Sequence, residues 1–115
     1  MDATIVLLKC LKSKRYINDI EKAKSKVKTD AFLLRKNTDL FIRDAITGMG
    51  IILKEDLDNH YYITTVKMDG LGNVLTQAII QRDDEKAIIA VYAHEGFIKQ
   101  HLAEKTIEKL KKVLS

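Results

Sequence analysis

Proline and tryptophan are absent from this 115-residue chain, cysteine occurs once and glycine five times. With no proline and so little glycine there is scant material for an interdomain linker, so residues 1–115 read as one domain. The single cysteine, Cys10, excludes an internal disulfide. It lies in the apolar run 4–11, where a thiol acts as a small buried hydrophobe, a state that suits a reducing compartment. Long apolar runs are also missing near the N-terminus. Ile5, Val6, Leu7 and Leu8 make the longest one there, far short of the ~20 residues of a membrane span. Asp2 precedes it where a signal peptide would carry basic residues. A cytoplasmic protein without membrane contact is therefore expected. Aromatic residues are sparse at 6%, which weighs against the stacking platforms of single-strand nucleic-acid readers.

What is present is an ordinary globular composition, 46% hydrophobic and 31% charged, in a chain long enough for one real core. The net charge of +4 is unevenly spread. Residues 9–36 hold ten basic side chains against three acids, residues 37–95 hold five against ten, and the tail from 96 holds five against two. The chain is thus polarised by segment, and only folding decides whether it is polarised in space.

Hydrophobic patterning predicts an α+β domain built on a mostly antiparallel sheet of about five to six strands with two to three helices. The last 55 residues, 61–115, organise it. Residues 61–68 alternate as a strand. Asp69, Gly70, Leu71, Gly72 and Asn73 supply a hairpin turn, residues 74–82 return, and residues 83–86 turn again. The run Ala87, Ile88, Ile89, Ala90, Val91, Tyr92, Ala93 has no polar side, so it needs cover on both faces. From Phe97 onward Leu102, Ala103, Ile107, Leu110, Val113 and Leu114 form one helical stripe. Upstream, the β-branched Thr4, Ile5 and Val6 predict a strand over 4–11, and Ser13 is expected to cap a helix over 13–28, with a kinked helix pair as the alternative. A strand over 31–36, a short helix started by Asn37, Thr38 and Asp39 and stopped by Gly48 or Gly50, and a strand over 50–54 complete the expectation. The meander closed by a helix resembles small dimeric scaffold modules of the roadblock and longin type in architecture alone, which implies little about function.

Candidate chemistry is thin. His94, Glu95 and Gly96 sit where the central strand gives way to the last helix, a place where polar groups converge on ligands, with His101 following. The spacing is not that of a zinc helix, whose histidines share a face at i, i+4, and a surface His and Glu explains the same residues. His60 follows Glu55, Asp56 and Asp58, a set that suits a cation or simply a solvated turn. The glycines at 70 and 72 do not make a calcium loop, because Thr65 and Lys67 stand where acids are needed. Thr47, Gly48, Met49 and Gly50 lack the lysine and length of a phosphate loop. Cys10 lacks the exposed electropositive setting of a nucleophile. Lys14, Arg15, Lys22, Lys24, Lys26, Lys28, Arg35 and Lys36 offer sequence-independent contact with phosphates, beside the plainer reading of a solvated lysine face.

The expectation that follows is a small non-enzymatic interaction module that self-associates as a homodimer, a second chain helping to cover the central strand. Alternatives are a nucleic-acid-binding protein using the basic 9–36 segment, and a small enzyme or ligand-binding domain with a site at His94, Glu95 and His101. No cofactor or metal is expected.

Overall fold

A computed structural model of the chain describes residues 1–68, 74–94 and 101–115. The expected hairpin turn at 69–73, Glu95 with Gly96, and the predicted start of the last helix at Phe97 lie outside the described residues. Among the described residues nine elements follow in order: α1 (Ala3–Ser13), α2 (Ile20–Lys24), β1 (Val27–Leu33), α3 (Asp39–Thr47), β2 (Ile52–Asp56), β3 (Tyr61–Lys67), β4 (Leu75–Asp83), β5 (Lys86–Tyr92) and α4 (Leu102–Leu114). All strand pairs are antiparallel in one sheet of order β1-β5-β4-β3-β2. β2 to β5 run as a meander, and α3 carries the chain from β1 at one edge to β2 at the other.

The expected sheet and C-terminal helix are present, with four described helices in place of two to three. The difference arises at the N-terminus. Residues 4–11 form helix α1 where a strand was expected, because Ala3, Leu7, Leu8, Cys10 and Leu11 fall on one helical face and are buried together. Asp2 caps it, accepting from the Ile5 N–H at 3.3 Å. Ser13 caps nothing downstream. The chain leaves α1 through a Schellman ending, Arg15 N–H to Lys12 C=O and Tyr16 N–H to Leu11 C=O, with Arg15 left-handed at φ 66°. The expected helix over 13–28 is thus reduced to α2, five residues capped by Asp19, and its former end belongs to β1.

Two cores sandwich the sheet. Tyr62, Val66, Ala78, Ile80, Ala87, Ile89 and Val91 point to one side, where Ile42 and Ile46 of α3 and Leu102, Leu110 and Leu114 of α4 meet them. Tyr61, Ile63, Ile79, Ala90 and Tyr92 point to the other, under Leu7, Leu8 and Leu11 of α1 and Ala23 of α2. The central strand is therefore covered on both faces by helices of its own chain. A fully buried Ile or Leu contributes about 2–3 kcal/mol, so these two layers hold most of the hydrophobic stabilisation. The short helix at 39–47 starts as expected, with the Thr38 hydroxyl accepting from the Phe41 N–H at 3.2 Å, and Gly48 ends it. Gly50 lies against β3 so closely that an added Cβ would sit 2.0 Å from the Thr65 carbonyl oxygen.

Candidate functional site

The α1/α2 layer concentrates unneutralised positive charge. From residue 1 to 26 the chain holds seven basic and three acidic side chains. Each acid serves a local purpose. Asp2 and Asp19 accept helix N-cap bonds, from Ile5 N–H and Lys22 N–H, and Glu21 pairs with Lys24 at 3.1 Å. Among the described residues the carboxylates leave Lys9, Lys12, Lys14, Arg15, Lys22 and Lys26 without an ion-pair partner. All six are exposed.

Among the described residues, two open clefts cut into this layer. One, of about 470 Å³, runs between α1 and the β2–β3 hairpin and is lined by Lys9, Lys14 and Lys54 over an apolar floor that includes Cys10 and Tyr61. The Lys54 ammonium stands 5.7 Å above the Tyr61 ring. Burial pushes the Cys10 thiol up, and Lys14 and Lys54 offset only part of that, so the sulfur stays a protonated packing group. The other cleft, of about 310 Å³, lies where the α1–α2 loop and α2 meet the end of β5, lined by Tyr16, Lys22, Lys26, Tyr92 and His94. Lys26 Nζ is 3.4 Å from His94 Nδ1, and Tyr16 is 45% exposed. An exposed ring, two lysines and an imidazole around one opening suit an anionic ligand with a flat apolar portion.

The residues singled out in the sequence thus separate. His94 joins Lys22 and Lys26, which sequence spacing did not suggest, and no hydrogen bond links it to His101. His101 is exposed and left-handed ahead of α4, with no side-chain cap bond. Lys24 is held by Glu21. Lys28 alternates with Phe32 along β1 and so points to the α4 side of the sheet edge. Arg35 is taken out of the basic set altogether. Its guanidinium donates to the Val113 and Ser115 carbonyl oxygens and stacks 5.7 Å from the Phe41 ring, so it closes the C-terminus of α4. Lys36 lines a separate cleft with Asn37, Thr38 and Glu85.

A polar cluster that the sequence did not reveal ties α3 to the sheet. Asp39, in the first turn of α3, accepts from Arg82 Nε at 3.2 Å and lies 3.3 Å from His60 Nδ1. Arg82 Nη2 is 2.9 Å from the same His60 nitrogen, and the Tyr62 hydroxyl donates to the Asp39 carbonyl at 3.3 Å. Nδ1 carries either a proton or a lone pair, whereas arginine only donates and a carboxylate only accepts. His60 therefore bonds one neighbour at a time: Asp39 when Nδ1 is protonated, Arg82 when it is not. Partial burial of the Asp39 carboxyl would raise its pKa, but the hydrogen bonds from Arg82 and His60 outweigh that and hold it below the usual carboxylate value. His60 itself is left-handed at φ 55°. None of these residues lines a described cleft, and the cluster acts as a clamp on α3. The nearby acids do not form a cation site with His60. Asp56 instead accepts from the Asn59 backbone and side chain at 3.0 Å, and no group of three His, Cys, Asp or Glu able to hold a metal occurs among the described residues. No described helix is long and apolar enough to cross a membrane.

No family model matches this chain, and neither a curated protein nor a solved structure matches it, so the functional reading rests on its own residues.

Proposed function

We propose that this is a non-enzymatic binding domain whose α1/α2 face receives the phosphate backbone of a nucleic acid. One observation carries the reading: the three acids of that layer are consumed by caps and one local pair, leaving six exposed cations for a polyanion. Lysines and an arginine so arranged neutralise phosphates and release counterions without reading sequence. The cleft at Tyr16, Lys22, Lys26 and His94 adds one ring on which an unpaired base can stack. Self-association had been expected because β5 needed cover on two faces, and the chain's own helices supply that cover. Binding is favoured over catalysis because His94 faces a lysine, and not a carboxylate that would orient it as a base.

The test is fluorescence anisotropy with mixed-sequence DNA and RNA, single- and double-stranded. Binding at low salt that weakens steeply as salt rises is expected, with little dependence on sequence. Lys14→Glu/Lys22→Glu/Lys26→Glu should weaken it about a hundredfold or more. Lys105→Glu/Lys111→Glu/Lys112→Glu on α4 makes the same change in net charge and should weaken it far less. Absence of binding at low salt, or equal losses in the two variants, would overturn the assignment.

A further inference from the structure

The sheet has two edges, and they differ. β2 is five residues long, with a register shift between Ile52 and Lys54 that breaks its regular pairing. β1 is seven residues long and pairs with β5 in unbroken register, and among the described residues no strand pairs with its outer side. Irregular or short edges resist pairing with another chain, whereas long regular ones invite it.

The polarity of the β1 ladder is fixed by two bonds. Leu34 N–H reaches inward to the Glu85 carbonyl at 2.8 Å, whereas Ala31 N–H bonds the carboxylate of its own neighbour Asp30 at 2.8 Å. Alternation along a strand then turns the backbone groups of Val27, Thr29, Ala31 and Leu33 outward. A second strand can dock there only in a register that brings outward residues opposite outward residues.

We infer that the β1 edge pairs with the β1 edge of a second copy of this chain, antiparallel and centred on Thr29. Three two-fold registers fit the ladder, centred on Thr29, Asp30 or Ala31, and charge selects among them. Centring on Asp30 sets two carboxylates opposite each other, and centring on Ala31 sets Asp30 opposite Phe32. Centring on Thr29 sets Lys28 opposite Asp30 twice, once each way, with Thr29 opposite its own copy between them and Val27 opposite Ala31 on either flank. Lys28 and Asp30 share one face of the strand, so each cross-strand pair forms directly, the arrangement that stabilises antiparallel neighbours. The Asp30 carboxylate that caps Ala31 N–H in the single chain gives that amide up to the Val27 carbonyl of the second copy and turns to Lys28. Thr29 and Ala31, exposed on the other face, lose water contact as the strands meet. The self-complementary sequence Lys28, Thr29, Asp30 thus identifies the occupant as a second copy of the chain, by a two-fold isologous contact.

The experiment is sedimentation equilibrium without nucleic acid, which separates this inference from the function proposed above. The wild-type chain is expected to dimerise within the range up to ~100 μM that suits a small interface. Thr29→Pro removes an outward N–H that no bond among the described residues uses, and should raise the dissociation constant about tenfold or more. Lys28→Asp and Asp30→Lys should each abolish self-association yet form a heterodimer when mixed, because the mixture restores both opposite-charge pairs. Far-UV circular dichroism checks that each variant is folded. A wild-type monomer across that range, a dimer indifferent to Thr29→Pro, or single-reversal variants that do not recombine would each overturn the inference.

Discussion

At the scale of single residues, two positions hold conformations or charges that their surroundings impose. Arg15 occupies the left-handed position that ends α1, where glycine is the usual occupant because a Cβ there costs about 1 kcal/mol. Arg15→Gly should therefore raise stability by up to about 1 kcal/mol in urea unfolding, while weakening polyanion binding by the loss of one cation. Asp39 is the second. Its carboxyl is depressed in the folded chain by Arg82 and His60, so it stabilises the fold above its unfolded pKa of about 3.9. That contribution is lost as pH falls through the lower folded value. Thermal melts should show stability dropping below about pH 4. Asp39→Asn should cost about 1 kcal/mol at neutral pH and flatten that acid limb.

At the scale of elements, legibility followed the strength of the periodic signal. The meander and α4 were readable because alternation and a helical stripe each ran for several residues, and the two faces of β5 are buried as its unbroken apolar run required. α1 was misread because three β-branched residues near its start, Thr4, Ile5 and Val6, carry a local strand preference. The burial stripe from Ala3 to Leu11 overrides that preference in the fold. The left-handed turn at Arg15 also resets the helical phase, so the stripe of α1 does not continue into the segment that follows. The clamp of Asp39, His60 and Arg82 was not legible at all, because it joins α3, the β2–β3 turn and β4 through tertiary placement. The meeting of His94 with Lys26 was hidden for the same reason. β2 shows how one residue type supports an element. Thr65 bonds Ile51 at both its backbone N–H and its hydroxyl, and Gly50 must pass flat against it. Gly50→Ala forces that edge apart and should cost about 2–3 kcal/mol, read as a lower midpoint in urea.

At the scale of the whole molecule, segmental charge becomes spatial polarity only in part. The basic N-terminal stretch gathers on the α1/α2 layer, but Arg35 leaves it to close α4 and Lys28 turns to the far side of the sheet edge. A two-fold contact through β1 keeps equivalent faces on the same side of the joined sheet, so both α1/α2 layers would look the same way. Two clefts with Lys22, Lys26 and His94 would then face one ligand, and linked binding of two sites exceeds the affinity of either.

The register shift in β2 bears on where assembly stops. A sheet with two regular edges can add copies at both ends without limit, which is the geometry of a filament. Growth through β1 would consume the regular edge of each copy and present only bulged, five-residue strands outward. Association through β1 would end at two, with the irregularity at Ile52 and Lys54 as the terminator of a polymer that never begins.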